Sequence, residues 1–212
     1  MFSPTKIYAQ NRAAIRSFNS SFALNPELPP EAVTERARIQ PICSATLQFE
    51  SNFESGNLGK VYKIGEYEFD LLLSSDINTS SYTQWFYFKV SDAGSGQAAT
   101  FNIVNLMKSS SLYSKGMKVL VHSSLQNIWV RGGNNILYRK NNLLLSVNSL
   151  RTYSTLTFSY TFQPGESVYF AYTHPYTYSQ LCQDLDQLEA AHLHSRIFFR
   201  EVLCETPCGN RC

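Results

Sequence analysis

The feature that most constrains the fold is a change of hydrophobic rhythm at Ile42. From there to about Tyr172, apolar residues come in short, nearly alternating runs separated by clusters of Gly, Asn, Ser and Asp. A period of two puts every second side chain on one face, as in a half-buried strand. Candidate strands are Ala45–Phe49, Lys60–Ile64, Glu66–Leu73, Gln84–Val90, Ala99–Asn105, Lys118–His122, Ile128–Arg131, Ile136–Arg139, Tyr153–Phe162 and Ser167–Tyr172. Turn chemistry punctuates them at Glu54-Ser55-Gly56-Asn57, Gly94-Ser95-Gly96, Gly132-Gly133-Asn134-Asn135 and Gln163-Pro164-Gly165. With no helix interleaved, the pattern predicts an all-β fold with a minor helix, an antiparallel β-sandwich of roughly nine to ten strands.

The helix is predicted near the C-terminus. Thr177 is a good N-cap with Gln180 at the third helical position, and Leu181, Leu185 and Leu188 recur at helical spacing over about 178–192. Beyond it, Ile197-Phe198-Phe199 and Val202-Leu203 predict one further strand, and the chain stops at Cys212 without a capping signal, as if cut. Residues 1–40, with Asn25-Pro26, Pro29-Pro30 and mixed charge, read as an extended, partly disordered arm. The expected division is arm 1–40, sandwich 41–176, and helix and linker 177–212.

The chain is 43% apolar and 16% charged over 212 residues, which excludes a disordered polymer and suffices for a sizeable core. No signal-peptide run opens it and no stretch is long enough to span a membrane, so a cytoplasmic protein without membrane partners is expected. Five cysteines, three of them crowded at 204, 208 and 212, suggest reduced thiols rather than a disulfide framework.

The net charge of +2 conceals a segregation: from Ala93 to Gly165 there is no Asp or Glu. That span holds Lys108, Lys115, Lys118, Arg131, Arg139, Lys140 and Arg151. An unbalanced positive field attracts acidic partners in a salt-dependent way, so these seven are candidate contacts for acidic protein tails.

Other candidates read more simply. His192 and His194 stand two apart at a helix end, off a common face. Cys204, Cys208 and Cys212 lack paired-Cys zinc spacing. Trp85, Phe86, Tyr87, Phe88 and Trp129 could form a stacking surface, but strand alternation assigns at least one face of them to the core. His174-Pro175-Tyr176-Thr177-Tyr178 makes a rigid corner between sandwich and helix. The functional reading of His174, Pro175, Tyr176 and Tyr178 is an interdomain corner that walls a substrate entrance.

Several blocks, in fixed order from Leu47 to Asn210, resemble the N-terminal domain of the cytosolic carboxypeptidases. They are Leu47-Gln48-Phe49-Glu50-Ser51, Phe53-Glu54-Ser55-Gly56-Asn57-Leu58, Tyr67-Glu68-Phe69-Asp70-Leu71 and Ser75-Asp76-Ile77-Asn78. They continue with Gln84-Trp85-Phe86-Tyr87-Phe88, Phe101-Asn102-Ile103-Val104-Asn105, Gly116-Met117-Lys118, Trp129–Tyr138, Tyr169–Tyr178 and Val202–Thr206 with Gly209-Asn210. The resemblance implies a parent zinc metallocarboxypeptidase that removes glutamates from protein tails, above all those of tubulin. It also implies a His-x-x-Glu pair with a distant His on the zinc and a separate Glu as general base.

None of His122, His174, His192 and His194 supplies such a motif. No catalytic residue and no metal ligand is therefore expected here, and the chain alone should not be an enzyme. Zinc is expected in a catalytic domain absent from this chain. The expected partners are that downstream carboxypeptidase domain, joined through the leucine helix and Cys204–Cys212, and tubulin or other glutamate-rich tails. The other reading is a stand-alone binding module for acidic tails or other polyanions. Nucleic acid would have to outcompete poly-glutamate at equal salt.

Overall fold

Strand alternation builds two sheets around a core of phenylalanines. The computed structural model describes residues 47–75, 82–92, 96–145, 150–192, 198, 200–206 and 209–212. The predicted arm at 1–40, the start of the first predicted strand, and Ile197 and Phe199 lie outside these residues. In chain order the strands are β1 (Leu47–Glu50), β2 (Leu58–Lys63), β3 (Glu68–Leu73), β4 (Tyr87–Asp92), β5 (Ala98–Leu106), β6 (Val119–Ser123), β7 (Trp129–Gly132), β8 (Asn134–Leu144), β9 (Thr152–Thr161) and β10 (Ser167–Ala171). A 3-10 turn, Leu112–Lys115, precedes β6, and helix α1 spans Tyr178–Ala191.

The first sheet has the order β1-β4-β10-β6-β7 and the second β2-β3-β5-β9-β8. All pairs are antiparallel except β3 and β5, which run parallel. The exception follows from connectivity: β4 lies in the opposite sheet, so the chain reverses twice between β3 and β5. β8 is far longer than the predicted Ile136–Arg139, and its irregular stretches appear as register shifts between Asn134 and Leu137 and between Lys140 and Leu144. Val202 and Leu203 form no strand; the tail folds back on itself, with the Leu203 N–H donating to the Cys212 carbonyl at 2.7 Å, the Cys212 N–H to the Cys204 carbonyl at 2.9 Å and Glu205 bridging Arg211.

Between the sheets Phe86, Phe88, Phe101, Phe158, Phe162 and Phe170 are fully buried. Phe170 of the first sheet meets Phe101 at 5.5 Å and Phe158 at 5.3 Å in the second, and Phe88 at 5.5 Å in its own. Burying each such ring contributes about 1.5–3 kcal/mol, so this cluster is the main attraction between the layers. Tilted and edge-on contacts suit the ring quadrupoles.

Two buried polar groups, Asn102 and Glu166, anchor hydrogen-bond networks. Asn102 Nδ2 donates to Glu68 Oε1 and Asp70 Oδ1, both at 2.9 Å, while its Oδ1 accepts from Thr157 Oγ1 at 2.7 Å, stitching β3, β5 and β9. Glu166, buried, accepts from Ser123 Oγ, from Tyr160 Oη at 3.0 Å and from the Gln163 N–H at 2.8 Å. Burial together with the Glu166 carboxylate pushes the Tyr160 phenol well above its ordinary range.

Two of the sequence blocks interlock. Asn57 Nδ2 donates to the Trp85 carbonyl at 2.8 Å and its Oδ1 accepts from the Tyr87 N–H at 3.0 Å. Trp85 Nε1 donates to the Ser55 carbonyl at 2.9 Å. Gly56 must be glycine, because a Cβ there would lie 2.3 Å from the Ser51 carbonyl oxygen. Phe170→Ala is expected to cost about 3–5 kcal/mol in urea denaturation, whereas Leu137→Ala, on an exposed side chain, should stay within about 0.5 kcal/mol.

Candidate functional site

Alternation that sends Phe88 and Phe170 inward sends Tyr87, Lys89 and Tyr169 outward, and an aromatic face results on the first sheet. Phe53 meets Tyr87 at 4.8 Å, Tyr87 meets Tyr169 at 5.9 Å, and Tyr169 meets His122 at 6.1 Å. His122 meets Trp129 at 5.1 Å, and Trp129 meets His174 at 5.6 Å. Ala171 is in register with Tyr87 and Leu120, and its small side chain lets the Tyr87 and Trp129 rings approach to 6.0 Å. Lys89 Nζ sits 5.8 Å above the Tyr169 ring and 3.1 Å from Glu50. Desolvation, then the neighbouring Tyr169, raises the Tyr87 phenol.

The alternatives for Trp85–Phe88 thus resolve by parity: Phe86 and Phe88 are core, whereas Trp85 and Tyr87 are half-buried and outward. Composition could not choose between them, since all four are aromatic.

The predicted corner lies at one end of this face. Pro175 is buried, while His174 is exposed and stacks on Trp129. Tyr176 Oη donates to Asp184 Oδ2 of α1 at 2.8 Å, which raises the phenol. Tyr178 Oη accepts from the Arg211 N–H at 2.9 Å, tying the tail to α1. Thr177 Oγ1 accepts from the Gln180 N–H at 3.2 Å, the predicted N-cap. The first turn of α1 holds no acid of its own; Glu54, from the loop after β1, supplies one by accepting the Ser179 N–H at 2.9 Å. That bond, which strand and helix patterns do not reveal, fixes the helix to the sandwich.

α1 itself has no buried residue. Leu181 and Leu188 are 37% and 45% exposed, and Leu203 in the tail is 88% exposed. Cys182, Cys204 and Cys212 are free thiols.

The basic candidates do not form one cluster. Arg131 is committed to structure, its Nη1 donating to the carbonyls of Lys118 at 2.9 Å and Tyr172 at 3.2 Å. The Lys108 carbonyl accepts from Tyr138 Oη, leaving its ammonium exposed. Lys115 ends the 3-10 turn, Lys118 follows it, and Arg139 and Lys140 are exposed on β8. The Arg151 carbonyl accepts from the Leu145 N–H at 3.0 Å, at the far end of the β8–β9 ladder.

Among the described residues no three His, Cys, Asp or Glu side chains gather as a metal site. The imidazoles of His122 and His174 lie against Trp129 instead. This donor set does not fit zinc. Also among the described residues, no helix is long and apolar enough to cross a membrane.

Residues 49–172 match the family model described as the cytosolic carboxypeptidase N-terminal domain. Cytosolic carboxypeptidase 1 of Xenopus laevis is 47% identical, over 81% of this chain and 15% of its own length. Cytosolic carboxypeptidase 4 of Mus musculus is 39% identical, over 85% of this chain and 17% of its own length. The chain therefore spans about 15% of the length of these relatives. The metallo-carboxypeptidase of Burkholderia cenocepacia shares the fold at a TM-score of 0.54 and 19% identity, over 78% of this chain and 38% of that one.

The Ser179 contact holds the Glu54 carboxyl below its ordinary value. A carboxylate with a lowered folded-state pKa stabilises above its unfolded pKa and loses that contribution as pH falls through the folded value. Helix anchoring should therefore be complete at neutral pH and fade as acid protonates Glu54. Glu54→Gln should speed amide exchange at Ser179 at pH 7 while leaving the β9 amides protected; unchanged exchange at Ser179 would contradict this.

Proposed function

The chain belongs to the cytosolic carboxypeptidase family, and on that premise we propose that it is the non-catalytic N-terminal domain of a zinc carboxypeptidase. In this reading the parent removes glutamates from protein tails such as those of tubulin in the cytoplasm. The domain docks on the downstream carboxypeptidase domain and helps to admit the tail. The zinc and its ligands belong to that downstream domain.

The observation that carries the docking role is α1: fourteen helical residues, none buried, with Leu181 and Leu188 of its leucine stripe exposed. A helix of that length is marginal in water by itself, and an exposed apolar stripe marks an interaction surface. Glu54, from the sandwich, and Tyr176, from the corner, hold the helix in place, so its leucines are presented rather than loose. The corner at His174 and Pro175 lies between aromatic face and helix, which suits it to wall a tail entrance between two domains.

Tail admission draws on charge. The span from Ala93 to Gly165 contributes lysines and arginines and no carboxylate of its own, and such an imbalance raises the local concentration of acidic segments. Binding of a glutamate-rich tubulin-tail peptide to the 212-residue chain should weaken several-fold as ionic strength rises from about 0.01 M to about 1 M, where the screening length falls from about 30 Å to about 3 Å. A parallel zinc-supplemented assay should release no glutamate. Salt-insensitive binding would contradict the admission role, and glutamate release by this chain would contradict its non-catalytic character.

A further inference from the structure

Sheet edges are where a sandwich can accept another chain, and β8 is the outer strand of the second sheet, paired only with β9. Its other edge faces the 3-10 turn, and between them a cleft of about 440 Å³ opens. That size is within the ordinary range for a built binding site. The local sequence explains the opening. Ser111 caps the turn, Gly116 ends it at φ +95°, and the Met117 N–H donates back to the Leu112 carbonyl at 3.0 Å, so the chain closes on itself rather than onto β8. On the other wall Asn135, at φ +51°, anchors to Ser159 Oγ at 3.1 Å, and the register shift before Leu137 sets this stretch of β8 apart from the regular ladder.

The floor is apolar and aromatic. Tyr113 and Tyr138 stack with centroids 6.4 Å apart, and Met117 and Ile136 are half-buried. The rim carries Ser114 and Lys118, both exposed, with Lys115 on the same turn. Two further observations select a ligand. All the lining residues come from the span that contains no carboxylate, and among the described residues neither Lys115 nor Lys118 makes an ion pair. The Tyr113 hydroxyl is itself buried and, among the described residues, has no hydrogen-bond partner.

We propose that this cleft binds an acidic peptide segment, taking an apolar side chain against Met117 and Ile136 above the Tyr113–Tyr138 stack and the flanking carboxylates onto Lys115 and Lys118. The proposal rests on the tail-admission reading and gives it an address. Apolar contact supplies affinity, and the lysines supply sign and register. Arg139, Lys140 and Arg151 then contribute only to the long-range field.

The test is fluorescence anisotropy of a labelled glutamate-rich peptide with the full chain. Ser114→Trp fills the cleft from an exposed position, Lys118→Ala removes a rim charge while keeping the carbonyl that Arg131 uses, and Arg139→Ala with Lys140→Ala changes charge outside the cleft. Thermal melts matching the parent chain establish that each variant is folded. Ser114→Trp and Lys118→Ala should each weaken binding by about fivefold or more, and the Arg139/Lys140 variant by less than about twofold. If Ser114→Trp binds as well as the parent chain, the cleft is the wrong address while tail admission stands. If the parent chain binds no peptide, both fail. If single-stranded RNA of equal charge displaces the peptide at equal concentration, selectivity for acidic peptide is overturned.

Discussion

Phe170 packed between Phe101 and Phe158 is the contact on which the remaining surface depends. A strand has only two faces, so each ring driven inward fixes the direction of its neighbours. With Phe170 inside, Tyr169 must face outward; with Phe88 inside, Tyr87 and Lys89 must do the same. The aromatic face, its contact with His174, and the place where the chain turns into α1 are consequences of how the core is filled. A one-residue slip in β10 would bury Tyr169 and expose Phe170, removing core and face together.

The strands were legible because alternation and turn residues agree, as in the turn Gln163-Pro164-Gly165, where Gly165 adopts φ +75°. α1 was legible from Thr177, Gln180 and the leucines, and it ends within a residue of the expected position. The parallel β3–β5 pair was not, because it depends on which sheet β4 joins, a long-range choice that no local pattern records. The length of β8 was hidden for a different reason: Arg139-Lys140-Asn141-Asn142 is a polar stretch on an edge strand exposed on most sides, where alternation loses its driving force. Val202-Leu203 misled because Leu203 pairs only with the short return of the tail at Cys212 and not with a sheet edge, too brief a contact to extend into a strand.

For the site, sequence located the corner and the leucine helix but not what joins them. The Glu54–Ser179 bond spans 125 positions, and the opposition of β8 to the 3-10 turn is equally non-local. Charge was legible as a total over a span, whereas its division into the structural Arg131, the cleft lysines and the outlying Arg139 and Lys140 is set by long-range strand pairing. Asn57 and Gly56 show why the quoted blocks travel together: the turn of one closes on the backbone of the other.

The account depends most on α1 being a docking surface rather than an idle appendage. Calorimetric titration of the separately produced carboxypeptidase domain of a cytosolic carboxypeptidase with the 212-residue chain addresses this directly, comparing the parent chain with a Leu181→Asp, Leu188→Asp variant. Both leucines are exposed, so the variant should melt like the parent. The account predicts binding by the parent chain and a loss of about tenfold or more in the variant. Equal affinity of the two chains, or no binding by either, would contradict it.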